Sequence, residues 1–382
     1  MEREANGLRA GSTSMPLIPP GSTIGILGGG QLGRMLAIAA AELGYHAHIY
    51  CPEKDAPAGE VAKFTTIAAY EDLSTLEVFA RSVDVVTYEF ENIPHAPVEH
   101  LAKFIPVRPD PAVLAICQHR VLEKQTVNKL SIPTAAFRPV SSLEDLKEAA
   151  AVLGLPAILK TARMGYDGKG QWKVMSHEPQ VMSRVIAESG LSAHDRQSRT
   201  HGAPFILESF VPFRMEISLI AARDAKGTII CYDAVQNIHK HHILSETIAP
   251  APIAPALARK AKAMTEAIAE GIGLVGLVAV EMFVTDKDEI LVNELAPRPH
   301  NSGHWTIDAC ANSQFEQIIR AICGLPLGST ERLCDARMLN LIGDDINDWQ
   351  KYLAMPNARL HVYGKKEARP GRKMGHVTFL GD

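Results

Sequence analysis

The chain has 382 residues, room for about two or three domains, and its 46% apolar and 21% charged residues are ordinary for a globular protein. A net charge of −4 provides no general basic field, so neither nucleic acid nor an anionic membrane is expected as a partner, and any phosphate binding must be local. The six cysteines form no C-x-x-C and no metal-type spacing, which predicts a reducing, cytoplasmic setting, and the longest apolar passage, Gly271 to Val284, is too short to span a membrane.

Residues 1–21 are rich in Gly, Ser and Pro, have no signal-type apolar run and read as a disordered leader, with Met15 a candidate natural start. From Thr23 the order is strand, glycine turn (Gly28 to Gly33) and helix. Gly28, Gly30 and Gly33 fit G-x-G-x-x-G, and Glu53 lies 20 residues on, so a dinucleotide is one reading and a bare phosphate at a helix N-terminus another. Glu89 to Asn92 sit at the carboxyl end of a third strand, Asp84 to Tyr88, where α/β folds hold ligands.

A proline-rich boundary over 105–111 precedes a single predicted helix, Ala112 to Leu130, carrying Arg120 and Lys124. Next comes a strand ending at Lys160, then Gly165-Tyr166-Asp167-Gly168-Lys169-Gly170-Gln171. That loop is either one that closes over a polyphosphate or a plain hairpin turn; it is not a Walker loop. The stretch 190–204 reads as loop. Strands from Phe205 and Arg214 carry Glu208 and Glu216, the latter an unusual residue for an apolar strand. Asn237 to His242 reads as a polar, His-rich loop.

Val280 to His304 is the most informative stretch. A turn at Lys287-Asp288 would pair Glu281 with Glu294, and two facing carboxylates in a strand pair make sense around a cation. An all-oxygen set with no Cys suits Mg²⁺. Arg298, His300 and Asn301 follow at once, so a phosphorylated anion could be held beside that cation. In the tail, Lys365, Lys366, Arg369, Arg372 and Lys373 are either a solvated loop or, with Pro370-Gly371 setting a turn, a phosphate grip.

GGGQLGRML, GYDGKGQW, Glu281 with Asn293-Glu294, APRPHNSGHWT and RPGRKMGH, in that order, resemble the ATP-grasp ligases, and among them the 5-(carboxyamino)imidazole ribonucleotide synthetases of purine biosynthesis. The resemblance covers about Ile24 to His376. It implies a mixed α/β and α+β architecture: an N-terminal Rossmann-like (pre-ATP-grasp) domain over 22–111, an ATP-grasp region over 112–325 with a lid at about 132–205, and a small β-rich C-terminal domain over 326–382. It implies an ATP-dependent carbon–nitrogen ligase that joins bicarbonate to 5-aminoimidazole ribonucleotide through carboxyphosphate. Another ATP-grasp carboxylate–amine ligase is the nearest alternative, and an NAD(P) oxidoreductase or a nucleotide sensor are remote ones.

By the same resemblance Arg120, Lys160 and the loop Gly165 to Gln171 hold ATP, Glu208, Ser209, Phe210 and Val211 the adenine, and Glu216 the ribose. His239, Asn293 and Glu294 complete that site. Glu281 and Glu294 bind Mg²⁺, with Mn²⁺ as a substitute. Arg298, His300 and Asn301 surround bicarbonate, and Tyr166, Asp167 and Lys169 are candidates near the amine. Gln31, Leu32 and Glu89 line the ribonucleotide site, whose phosphate Lys365 and Arg372 grip. A homodimer and hand-over to the downstream mutase are implied partners. Two departures stand out: the chain ends soon after His376, where relatives run on, which reads as a shortened C-terminus, and Lys169 stands where some relatives have Arg.

Overall fold

The computed structural model describes residues 17–165, 169–176, 185, 187–188 and 203–381. The leader up to residue 16, Tyr166, Asp167 and Gly168 of the glycine loop, and most of 177–202 lie outside the described residues.

The first sheet contains β1 (Thr23–Leu27), β2 (His46–Cys51), β3 (Phe64–Ile67) and β4 (Val85–Tyr88), all parallel in the order β3-β2-β1-β4. Its central strands are apolar on both sides because both sides are covered. Ile24 and Ile26 pack with Leu36 of helix α1 (Gln31–Glu42) on one side, while Leu27, Tyr50 and Val86 pack with Phe79 of α2 (Leu73–Ala80) on the other.

The predicted helix 112–130 is two helices, α4 (Pro111–Cys117) and α5 (Arg120–Lys129), after α3 (His95–Leu101). The break has a cause. His119 is extended, the Gln118 amide donates to the carbonyls of Glu91 and Ile93 at 2.7 and 2.6 Å, and the Arg120 N–H donates to Ala162 O at 2.9 Å instead of to a helical carbonyl. The break puts Arg120 at the first turn of its own helix.

A second, antiparallel sheet holds β5 (Phe137–Val140), β6 (Ala157–Thr161), β7 (Gln171–Val174) and β8 (Phe205–Ser209) in the order β5-β8-β6-β7. Helix α6 (Leu143–Leu153), capped by the Ser142 hydroxyl on Asp145 N–H, seats Leu146 against Val140, Leu159 and Leu207. The glycine loop is the connection between the antiparallel strands β6 and β7.

The third sheet is built from β9 (Phe213–Arg223), β10 (Ile229–Cys231), β11 (Val235–Lys240), β12 (Ile243–Ala249), β13 (Gly276–Thr285), β14 (Ile290–Ala296), β15 (Ala336–Ile342), β16 (Ala358–Val362) and β17 (Lys373–Leu380). Its order is β14-β13-β9-β11-β12-β15-β17-β16, with β10 on β9, so the tail strands continue the same sheet. The helix Pro255–Gly271 buries Leu257, Met264 and Ile268 against Ile217, Leu219, Val280 and Met282. Asn237 to His242 is not a loop: it is the end of β11 and a turn in which His241 and His242 take positive φ. Polarity misled here because Asn237 and His239 face the polar side of the sheet described below. Among the described residues no helix is long and apolar enough to cross a membrane.

Candidate functional site

Residues directly opposite each other in neighbouring strands share a sheet face. Glu294 faces Glu281, Glu281 faces Ser218, and Glu216 faces Asn237. The opposite face carries the apolar core, including Ile217, Leu219, Val280 and Met282. The acids are therefore set by strand alternation, and one face of β14, β13, β9 and β11 is polar across its width.

The Glu281–Glu294 pairing agrees with the sequence, but the predicted two-residue turn does not. Asp288 N–H donates to Thr285 O and Thr285 N–H to Glu289 O, both at 3.0 Å, with Asp288 at φ +57°, so the loop has one more residue. Val284 then pairs with Ile290 and Met282 with Val292. A bulge at Asn293 absorbs the extra residue and restores the pairing of 281 with 294.

Helix α5 lies across this hairpin. Arg120 Nη1 donates to Glu294 Oε2 at 3.0 Å; burial works against its charge, but Glu294, Glu208 and Glu123 raise its pKa overall. Lys160 Nζ donates to Glu208 Oε2 at 2.8 Å. Lys124 Nζ stands 3.4 Å from the other Glu208 oxygen, an ion-pair distance without hydrogen-bond geometry. Burial would raise the Glu208 carboxyl, yet Lys124 and Lys160 outweigh it and bring it to about 2; burial also lowers the Lys160 ammonium. The chain runs on from Glu208 through Ser209, Phe210 and Val211 to β9, with Phe210 exposed. A Cβ on Gly165 would meet Arg120 Nη2 at 3.4 Å, which puts the start of the glycine loop at this cluster, whereas Lys169 and Gln171 are exposed and Gly170 turns at φ +72°. On β9 and β11, His239 Nδ1 and Glu216 Oε2 are 2.5 Å apart; burial opposes the imidazolium and Glu216 raises its pKa past that.

In the middle of the site His300 Nε2 lies 3.0 Å from Glu281, whose carboxyl is held near 2 by His300 against the opposing effect of burial. Arg298 grips Glu91 through two guanidinium nitrogens, and its Nη1 donates to Pro299 O at 2.9 Å. The buried Gln314 side chain clamps the His300 backbone, accepting from its N–H at 2.8 Å and donating to its carbonyl at 2.7 Å. His300 Nδ1 is 2.8 Å from Ser302 Oγ, which accepts from Ser218 Oγ at 2.7 Å. The side-chain amide of Asn301 and the Oδ1 of Asn293 are buried without a hydrogen-bond partner. Buried polar atoms are nearly always paired, so these side chains keep hydrogen-bonding capacity that the chain itself does not use.

The glycine turn does not hold a dinucleotide. The Glu89 carboxylate occupies it, accepting from Gly30 N–H at 2.5 Å and Gly33 N–H at 2.6 Å at the N-terminus of α1, beside Gln31 and Leu32. A Cβ on Gly28 would sit 2.4 Å from Glu89 Cγ, and Glu53 is exposed. An anion fills the anion site already, which overturns the dinucleotide expectation at Glu53. Burial raises the Glu89 pKa, while Arg298 and Lys365 act to lower it, so the tail reaches this end of the site.

Among the tail cations Lys366 pairs with Asp55 at 2.9 Å and Arg369 with Glu367. Lys365 and Arg372 donate instead to the main-chain oxygens of Lys373 and Glu367, at 2.7 and 3.0 Å. Burial, then the neighbouring Arg372, lowers the Lys365 ammonium to about 8. Pro370-Gly371, with Gly371 at φ +78°, makes the turn the sequence predicts.

The sequence reading missed Glu123, Ser218, Ser302 and Gln314 as parts of this site, and it named Glu91 and Lys124 without giving either a role of its own. Glu91 sits at the strand end singled out for ligands, and the i, i+3, i+4 spacing of Arg120, Glu123 and Lys124 was a usable signal for one helix face. Ser218, Ser302 and Gln314 gave none. Asp308, His361 and His376 are the one metal-type grouping among the described residues, but the two imidazoles stack at 4.5 Å and 13°, so their in-plane lone pairs do not converge.

Comparison with known proteins agrees with this architecture. Residues 125–315 match the ATP-grasp domain, 22–118 the ribonucleotide synthetase preATP-grasp domain, and 336–382 the phosphoribosylaminoimidazole carboxylase C-terminal domain. The chain is 48% identical to the N5-carboxyaminoimidazole ribonucleotide synthase of Brucella melitensis, over 95% of this chain and 97% of that one. It is 50% identical to a bifunctional purine synthesis protein of Dictyostelium discoideum, of which it spans only 37%. A crystal structure of the ADP complex of an N5-carboxyaminoimidazole ribonucleotide synthetase superposes with TM-score 0.88 at 44% identity, covering 96% of this chain and 94% of that one. The Aspergillus clavatus synthase in complex with ADP and 5-aminoimidazole ribonucleotide superposes with TM-score 0.84 at 29% identity, covering 94% of each chain. Three matched domains in order, and a relative at 48% identity spanned almost end to end, make this chain a member of the N5-carboxyaminoimidazole ribonucleotide synthase family of ATP-grasp ligases.

Proposed function

We propose that the protein carboxylates 5-aminoimidazole ribonucleotide with bicarbonate at the expense of ATP, giving 5-(carboxyamino)imidazole ribonucleotide, ADP and phosphate. The observation that carries this reading is the Glu281–Glu294 pair on one sheet face with His300 against Glu281, followed in the chain by the partnerless amide of Asn301. Arg120, Lys160 and the loop from Gly165 to Gln171, including Tyr166, Asp167 and Gly168, would take the phosphates of ATP. The segment Glu208 to Val211 would border adenine, and Glu216 with His239 the ribose. Glu281, Glu294 and the side-chain oxygen of Asn293 would make an all-oxygen donor set of the kind that suits Mg²⁺. The ion would supply charge neutralisation on the transferred phosphoryl group.

Bicarbonate, held by Arg298, His300 and Asn301, would attack the γ-phosphorus, and Lys160 and Arg120 would offset the charge that spreads over the phosphoryl oxygens. The resulting carboxyphosphate is labile to water, so the glycine loop must close before the amine attacks its carbon and releases phosphate. Glu89, Gln31 and Leu32 would border the ribonucleotide, with Lys365 and Arg372 on its phosphate. This reading divides the chain at about residues 111 and 325. A homodimer, hand-over of the carbamate to a mutase and a cytoplasmic setting complete it; the unpaired cysteines accord with that setting. The test is ADP release measured with and without each of bicarbonate and 5-aminoimidazole ribonucleotide. Full turnover needs both; release unaffected by the ribonucleotide would point to a different amine acceptor.

A further inference from the structure

β14 is the outer strand of its sheet, so the main chain around the bulge at Asn293 has no further strand to bond to. Val292 N–H is met by Pro133 O at 2.9 Å. The next two groups are met by consecutive side chains of α5: Lys124 Nζ donates to Asn293 O at 3.1 Å, and Glu123 Oε1 accepts from Leu295 N–H at 2.6 Å. Both side chains are almost wholly buried, at 1% and 2% exposure. Burying two ionisable side chains is costly, so satisfying an edge strand alone is a poor reason for them.

The bulge decides which way β14 points. Ile290, Val292 and Leu295 lie in the apolar core, and Asn293 and Glu294 do not. Strict alternation after Val292 would send Glu294 into that core and Leu295 out of it. With the extra residue held in place, both Asn293 and Glu294 stay on the face of Glu281.

We infer that Glu123 and Lys124 are positioning residues, which hold the bulge and so keep Asn293 and Glu294 aimed at the nucleotide and its metal. The inference rests on the reading of Glu294 and Asn293 given above. Removing the acceptor in Glu123→Leu raises the Mg²⁺ concentration for half-maximal activity and the KM for ATP by about tenfold or more, the cost of leaving the buried Leu295 N–H without its acceptor. The KM for 5-aminoimidazole ribonucleotide stays within about twofold, and Glu123→Gln, which keeps an acceptor oxygen, restores the first two constants to within about threefold of the parent. A folded Glu123→Leu with the parent's Mg²⁺ and ATP dependence overturns the inference, as does an equal rise in all three constants. Where melting shows that Glu123→Leu does not fold, Lys124→Met is measured in its place, and unchanged constants overturn the inference there too. Glu294→Gln, measured alongside, separates the two readings. If its Mg²⁺ dependence is unchanged, the metal site itself is misassigned; if it shifts while Glu123→Leu does not, only the positioning role fails.

Discussion

Glu208 is the keystone of the buried charge cluster under the nucleotide end of the site, and Glu208→Gln tests it with almost no change of shape. The carboxylate is 3% exposed and sits against two ammonium groups, Lys160 at 2.8 Å and Lys124 at 3.4 Å. In the parent its pKa falls from 4.5 to about 2, so the link between folding and ionisation contributes up to about 3 kcal/mol. A carboxyl with a depressed native pKa gives stability that is present above about pH 4.5 and is lost as the pH falls toward about 2. The variant keeps both lysines buried and removes their counter-charge, which costs about 3–5 kcal/mol.

The variant's pH dependence has the opposite origin. Burial already lowers the Lys160 ammonium, so without Glu208 the unfolded chain binds more protons and stability rises with pH. Thermal and denaturant unfolding at about pH 7 and about pH 9 should therefore show a large deficit at the lower pH and a smaller one at the higher. ATP should recover more stability in the variant than in the parent, because its phosphates supply the missing negative charge. A loss under about 1 kcal/mol, or a deficit independent of pH, would show that the cluster is solvated and would refute the reasoning.

Glu281→Gln and Glu294→Gln should each lower turnover at least about a hundredfold at limiting Mg²⁺; steady-state kinetics with unchanged turnover in either would remove that carboxylate from the metal site. Arg372→Ala should raise the KM for 5-aminoimidazole ribonucleotide by about 10- to 150-fold and leave the KM for ATP alone, as the loss of one charge-assisted contact would. Because burial brings the Lys365 ammonium down to about 8, the same KM in the parent should climb as the pH rises past that value; a flat profile would take Lys365 off the phosphate. Gly28→Ala, at φ +109° with its Cβ driven into Glu89, should cost about 1–3 kcal/mol in unfolding experiments.

Strand alternation and local motifs made most of this architecture legible. Thr23–Leu27 is a strand as read, and Glu281 and Glu294 face each other. That pairing came from an assumed two-residue turn, however, and the molecule reaches it by a longer loop and a compensating bulge. A bulge held by side chains from another helix leaves no pattern in the strand itself, which is why Glu123 and Lys124 were not tied to it. The broken helix at His119 and the strand at His239 were misread for a related reason: long-range hydrogen bonds from Gln118, Arg120 and His239 override what local polarity suggests. The G-x-G-x-x-G pattern correctly marked a helix N-terminus that binds an anion. What it could not reveal was that the anion is Glu89, 56 residues beyond Gly33.

The central claim is that bicarbonate is phosphorylated by ATP before it meets the amine, and the fate of its oxygen tests this most directly. Turnover with ¹⁸O-labelled bicarbonate, in the presence of 5-aminoimidazole ribonucleotide, Mg²⁺ and ATP, should place one labelled oxygen in the phosphate released. The attacking bicarbonate oxygen becomes the carbon–phosphorus bridge, and it leaves with phosphorus when the amine takes the carbon. Unlabelled phosphate formed in step with the carbamate would mean that water, not bicarbonate, attacked ATP, and would contradict the account.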